Sequence, residues 1–167
     1  MLTTVISGGQ LGSDLAGLLA ASCCGLKTSG WIPSGWKTEL GPRPDFARFG
    51  LKETPSSKYE QRTEWNVRDS DGTIIISRHH DSPGTKLTKN LCIKMRKPLF
   101  AISFSKQASE NELSLGDICD WIEKKNISIL NVSGNRESVA VGIQVWATHA
   151  LIEIFKTLQG RTTIEDN

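Results

Sequence analysis

The chain has 167 residues, 38% of them hydrophobic and 23% charged, an ordinary balance for one soluble globular domain with a real core. A formal net charge of +2 is too mild for bulk attraction to nucleic acid; the one dense basic run, Lys94-Met95-Arg96-Lys97, reads as the cationic end of a helix. No apolar run reaches membrane-spanning length and no basic-then-apolar leader opens the sequence, so the expected location is the cytoplasm.

In chain order, residues 2–6 read as a short buried strand, and 13–24 as a helix with Leu15, Leu18 and Leu19 on one face and Gly25 at its C-terminal end. Gly30-Trp31-Ile32 suggests a second strand. The stretch 33–55, punctuated by Pro33, Gly35, Gly41, Pro42, Pro44, Gly50 and Pro55, reads as one long loop of a functional kind. Ser57-Lys58-Tyr59-Glu60 has the form of a capping box opening a helix to about Arg68. The β-branched run Thr73-Ile74-Ile75-Ile76 is a buried strand, and Leu87, Leu91 and Met95 mark a helix that ends before Pro98. A strand follows at 99–104, then a helix capped by Ser114 with Asp117, a strand at 127–132, and a last helix from about Val139 to Leu158.

Strands alternating with helices predict an α/β fold: a doubly wound, mostly parallel Rossmann-like sheet of five strands or slightly more, with helices on both faces. The expected organisation is one ligand-binding domain over 1–159 and a polar, frayed tail over 160–167. The cysteines, Cys23, Cys24, Cys92 and Cys119, lack metal or C-x-x-C spacing and read as buried thiols of a reduced compartment.

Three strand ends run into small, polar residues before a helix begins. They are Ser7-Gly8-Gly9-Gln10-Leu11-Gly12 with Asp14, the segment from Ser77 to Ser82-Pro83-Gly84-Thr85, and Ser133-Gly134-Asn135-Arg136-Glu137-Ser138. In a parallel sheet all three lie at one edge. There, backbone N–H groups and helix N-termini can hold a phosphate or similar oxyanion. Asp14 would repel that phosphate, so it either supports its helix or meets a ligand hydroxyl or a metal. His79-His80 reads as surface loop. Trp31, Trp36 and Trp65 read as packing or subunit-interface residues ahead of ring-stacking ones, and no metal site is expected.

The same residues carry a family resemblance. Ser7-Gly8-Gly9-Gln10 with Gly12 and Asp14 resembles the opening motif of the molybdenum carrier proteins, a branch of the Rossmann-like SLOG superfamily. The resemblance continues through Gly30-Trp31-Ile32-Pro33, Leu51-Lys52-Glu53-Thr54 and the long stretch from Tyr59 to Thr73. It extends through Gly84-Thr85-Lys86-Leu87-Thr88, Lys97-Pro98-Leu99 and Asn131 to Ser138, covering nearly the whole chain in order. It implies a binding or carrier protein for molybdenum cofactor, a phosphorylated pterin, or for a nucleotide. Ser7, Gly8, Gly9, Gln10, Gly12, Asp14, Ser77, Gly84, Thr85, Thr88 and Ser133 to Ser138 are the expected ligand contacts. The expected partners are a phosphorylated small molecule and copies of the same chain, as a dimer or tetramer, with neither nucleic acid nor membrane. The chain departs from its relatives at Pro83, where they carry glycine, and at Leu15, where they carry a basic residue.

The alternative is a phosphoribohydrolase that splits a nucleoside monophosphate at its N-glycosidic bond. Such relatives place a glutamate three residues after a Gly-Thr pair, with an arginine upstream. Here Thr88 follows Gly84-Thr85 at the glutamate position, and Arg62 matches the arginine. A threonine hydroxyl cannot steady oxocarbenium charge or activate water as a carboxylate does. Glu60, Glu64 or Asp14 would have to substitute.

Overall fold

The computed structural model describes residues 1–105 and 114–165, the last four by backbone alone. Six parallel strands form the sheet: β1 (Thr4–Ser7), β2 (Lys27–Ile32), β5 (Leu51–Glu53), β6 (Gly72–Ser77), β7 (Leu99–Ser103) and β8 (Ile129–Gly134), in the order β5-β2-β1-β8-β6-β7. The central strands β1, β6 and β8 carry Val5, Ile74, Ile75, Ile76, Leu130 and Val132 at zero exposure. That is why their sequences read as near-continuous apolar runs. The polar pair in this core is satisfied across the ladder, with Asn131 donating to the Thr73 hydroxyl at 3.2 Å.

Among the described residues four helices connect strands, α1 (Ser13–Cys23), α2 (Tyr59–Arg68), α3 (Pro83–Lys94) and α4 (Leu115–Lys124), and α5 (Ile143–Glu165) follows the last strand. They fall into two groups, α1 and α4 packing on α5, and α2 on α3. The larger core gathers Ala16 and Ala20 of α1, Ile118 and Ile122 of α4, and Ile143, Leu151 and Phe155 of α5 against the sheet. Val67, Leu91 and Cys92 form a small core beneath α2 and α3.

Several boundaries differ from the sequence reading. The stretch 33–55 is not one loop. It holds an antiparallel hairpin of β3 (Lys37–Thr38) and β4 (Gly41–Pro42), a 3-10 turn (Pro44–Phe49), and β5, the edge strand. Phe46, Phe49 and Leu51 anchor it on Leu15 and Leu18 of α1. The capping box does not form, because α2 starts at Tyr59 with no side-chain cap. Gln61 Oε1 instead accepts from the Ser56 N–H at 2.9 Å. Ser114 does cap α4, accepting from the Asp117 N–H at 3.4 Å. Helix α5 begins at Ile143 rather than Val139 and continues to Glu165, through most of the expected tail; residues 166 and 167 lie outside the described ones. Cys92 and Cys119 are buried as expected, but Cys24 is half-buried and Cys23 exposed. Among the described residues no helix is long and apolar enough to cross a membrane.

Candidate functional site

A cleft of about 210 Å³ opens at the carboxyl edge of the sheet. Four segments line it: Gln10 and Asp14 from the β1–α1 turn, Ser133 to Arg136 at the end of β8, Pro83 to Thr88 of α3, and Tyr59 to Thr63 of α2. The three expected loops therefore meet. The fourth segment, α2, brings in Glu60 and Arg62, which the sequence names only for the hydrolase alternative, and it follows β5, the strand that the sequence reading passed over.

Helix α2 brings Arg62 to the floor. Its NH1 donates to Asp14 Oδ2 at 2.9 Å, and the side chains are only 11% and 4% exposed. Gly8 makes this possible, because a Cβ there would overlap the Arg62 guanidinium and lie 2.8 Å from Asp14 Oδ2. Burial pushes the Asp14 carboxyl above the usual carboxylate range, outweighing the opposing pull of Arg62, the Gln10 amide and Arg136. Arg62 Nε is buried without a protein partner, and so is Gln10 Nε2.

Between the floor and the mouth three cations surround one phenol ring. Arg136, Lys37 and Arg62 lie 4.7, 5.1 and 5.8 Å from the centroid of Tyr59. Lys37 comes from the β3–β4 hairpin, which is tied down where Glu39 N–H donates to Gln10 Oε1 at 2.9 Å and Ser138 donates to the Glu39 carboxylate.

The first loop is wired inward. The N–H of Gln10 donates to Asp14 Oδ2 (3.4 Å), that of Leu11 to Gln10 Oε1 (3.2 Å), that of Gly12 to Gln144 Oε1 (3.0 Å) and that of Ser13 to Asn135 O (3.1 Å). Four consecutive amides at the start of α1 are thus satisfied within the protein. In the third loop, Asn135 N–H donates to Ile76 O and Glu137 N–H to Leu11 O. Helix α3 differs. Its first turn has no side-chain cap, Pro83 sits at N1 where no N–H is needed, and an added Cβ at Gly84 would meet nothing within 4 Å.

A model of the circularly permutated YpsA SLOG family matches residues 5–155. The chain belongs to that family. This SLOG protein is also similar, at 35% identity and a TM-score of 0.79, to the crystal structure of a protein from Syntrophus aciditrophicus SB named "putative molybdenum carrier protein", over 92% of this chain and 94% of that one. No protein with a curated description matches it.

The other expected site residues of this SLOG protein have positions of their own. A Cβ at Gly9, where φ is 69°, would meet Leu51 and Ile32 rather than the cleft, and one at Gly12 would lie 2.6 Å from Asn135 O. Ser7 and Ser77 are buried at strand ends, and Ser77 Oγ pairs with His80 Nδ1 at 2.7 Å. His80 also reaches Ser103 Oγ, and burial lowers its pKa. Asn135 holds the second loop, accepting from the N–H groups of Arg78 and His79 at 2.8 and 3.0 Å. Thr85 accepts from Ser82 Oγ, and Thr88 donates to Gly84 O at 3.0 Å. Glu64 is exposed and off the cleft, whereas Glu60 lines it. Trp31 packs edge-on against Trp65 with centroids 4.7 Å apart, and Trp36 packs on the cluster of Leu15, Leu18, Phe46 and Phe49. Among the described residues no His, Cys, Asp or Glu cluster could hold a metal.

Glu137 is the N-terminal clamp of α5, accepting from Gly142 N–H at 2.6 Å and Gln144 N–H at 3.0 Å. Glu137→Ala should therefore remove about 1–2 kcal/mol of stability, lowering Tm by roughly 2–8 °C in a scanning calorimeter. A Tm unchanged within 1 °C would leave these bonds without energetic weight.

Proposed function

We propose that this chain binds a phosphorylated heterocycle in the cleft and acts as its holder or carrier, the ligand being molybdenum cofactor or a nucleotide. The observation that carries this reading is the cation cluster of Arg136, Lys37 and Arg62 around Tyr59, beside the uncapped first turn of α3. Guanidinium and ammonium groups at such a mouth suit a phosphate, and a helix N-terminus adds to them. The aromatic and apolar lining from Tyr59 and Leu87 suits a flat ring. Buried polar atoms without partners, Gln10 Nε2 and Arg62 Nε, fit a ligand rich in acceptors such as a phosphorylated pterin. The name of the Syntrophus aciditrophicus relative adds support for that cofactor.

Native mass spectrometry of freshly purified protein tests the reading directly, because a retained ligand reports its own mass. Calorimetric titration with nucleoside monophosphates and a pterin phosphate supplies the affinity. Arg136→Ala should weaken binding about tenfold or more while Tm stays nearly constant, in line with a charge-assisted bond of roughly 1.5–3 kcal/mol. Early melting with intact affinity would make Arg136 a structural residue. Release of free base over many turnovers would overturn the holder reading in favour of hydrolysis; with Thr88 bonded to Gly84 O where relatives of that class carry glutamate, none is expected.

A further inference from the structure

Charge divides the cleft into two ends. The mouth carries Arg136, with Lys37 over the same Tyr59 ring, whereas on the floor the buried Asp14 carboxylate and Arg62 neutralise each other. A phosphate at the floor would face that carboxylate, and the amides at the start of α1 that could have received it are already occupied by protein acceptors. The floor is nevertheless polar and incomplete. Gln10 is 3% exposed and lines the cleft. Its Oε1 accepts from the N–H groups of both Leu11 and Glu39, which fixes the orientation of the amide and leaves Nε2 as a buried donor with no partner. Asp14 offers acceptor oxygens in a site dry enough to raise its pKa even beside Arg62. A buried donor and a buried acceptor lining one cleft ask for a neutral group that presents the reverse pair.

Building on the phosphorylated-heterocycle reading, we propose that Asp14 and Gln10 recognise the 2-amino-4-oxo-pyrimidine edge shared by pterins and guanine, with the ligand's phosphate turned outward to Arg136. Gln10 Nε2 donates to the ring carbonyl, and the Asp14 carboxylate accepts from the lactam N–H and the exocyclic amine. In the same pose adenine sets its amine where the carbonyl would be, against the Gln10 donor, and its acceptor N1 where the lactam N–H would be, against the Asp14 carboxylate, so both positions are mismatched. Relative to the usual arrangement in doubly wound sheets, where phosphate sits on the first helix, the ligand lies reversed.

The test uses the full-length chain and four probes: GMP, guanosine, AMP and a pterin monophosphate. Wild-type protein should bind GMP or the pterin phosphate, or both, at least tenfold more tightly than AMP, and the tighter of the two identifies the source of the edge. Arg136→Ala should weaken GMP but not guanosine. Asp14→Asn should weaken GMP and guanosine by a similar factor, at least tenfold, and change AMP by less than threefold. Gln10→Glu keeps the acceptor that holds Leu11 and Glu39 but replaces the donor, so it should act like Asp14→Asn if the latter fails to fold. Equal binding of GMP, AMP and the pterin phosphate, with both floor variants weakening all three alike, would overturn the edge assignment and leave the phosphate reading standing. An Asp14→Asn effect on GMP that vanishes with guanosine would reverse the orientation. If no probe binds and no ligand is retained, both readings fall.

Discussion

Gly134→Ala is expected to abolish folding, with no cooperative unfolding transition in circular dichroism and a chain that partitions to the insoluble fraction. Gly134 ends β8 at φ 155°, and a Cβ there would overlap the Ile76 carbonyl oxygen and lie 2.7 Å from Ser13 Oγ. Neither neighbour can yield. Ser13 Oγ donates to that same Ile76 carbonyl at 2.8 Å and to Asn135 O at 3.1 Å, and Asn135 N–H also donates to Ile76 O. A methyl group would therefore break the junction of β6, β8 and α1 at once. The loss should exceed about 4 kcal/mol, the range reserved for strain and lost buried bonds together. Gly84→Ala provides the contrast: nothing lies within 4 Å of its Cβ, and it sits inside the first turn of α3. It should fold normally. A Gly134→Ala protein with wild-type Tm would show that this junction is plastic.

The pair exposes what a glycine-rich loop can and cannot say from sequence. Gly8, Gly12 and Gly134 are glycine because protein atoms occupy the space, namely Arg62, the Asn135 backbone and the Ile76 carbonyl. Among the glycines of the three loops, Gly84 alone is open as an anion-binding glycine would be. Glycine spacing is the same letter pattern in both situations, and the partner that distinguishes them lies on another element. The gathering of the three loops was legible, because alternating strand and helix periods force a parallel sheet and put every strand's end on one edge.

The fourth wall was legible only in fragments, through Arg62 and Glu60 of the hydrolase alternative. Strand β5 is three residues long, too short for any periodicity to register, and it lies within a proline- and glycine-punctuated stretch. Without β5 the start of α2 has no assigned place: Arg62 can be named for the hydrolase alternative by its likeness to relatives, but nothing places Tyr59 beside it in the cleft. Asp14 and Arg62 are 48 positions apart, so their pairing is a product of topology alone. The cue that was available is local: Tyr59 and Arg62 stand three residues apart at the start of one helix, hence on one face. Helix α5 shows the same limit at its start. The expected start is at about Val139, yet Val139 and Val141 are exposed, and the helix begins where the Glu137 carboxylate collects its first amides.

The wiring of the first loop and the Asp14–Arg62 pair together make Arg62 the most consequential side chain of the cleft. Arg62→Met should lower stability by about 3–5 kcal/mol, because it leaves the Asp14 carboxylate buried with no counter-ion in contact. Ligand binding should be lost as well. A double variant, Asp14→Leu with Arg62→Met, removes both charges and should recover most of the stability, while binding stays lost. The pH dependence separates this mechanism from simple loss of packing. The Asp14 pKa is already raised in the folded protein, and removal of Arg62 deletes the largest opposing influence, raising it further. A carboxyl with a raised folded pKa binds its proton more tightly in the folded state than in the unfolded chain. Its stabilising contribution is full below the unfolded pKa near 3.8 and declines as pH rises through the higher folded value. The stability gap between Arg62→Met and wild type, measured by urea unfolding, should therefore widen from acid toward neutral pH and then level off. The double variant should show no such widening. A gap that is constant with pH, or a double variant no more stable than Arg62→Met alone, would mean that the side chain matters by its volume and not by its charge.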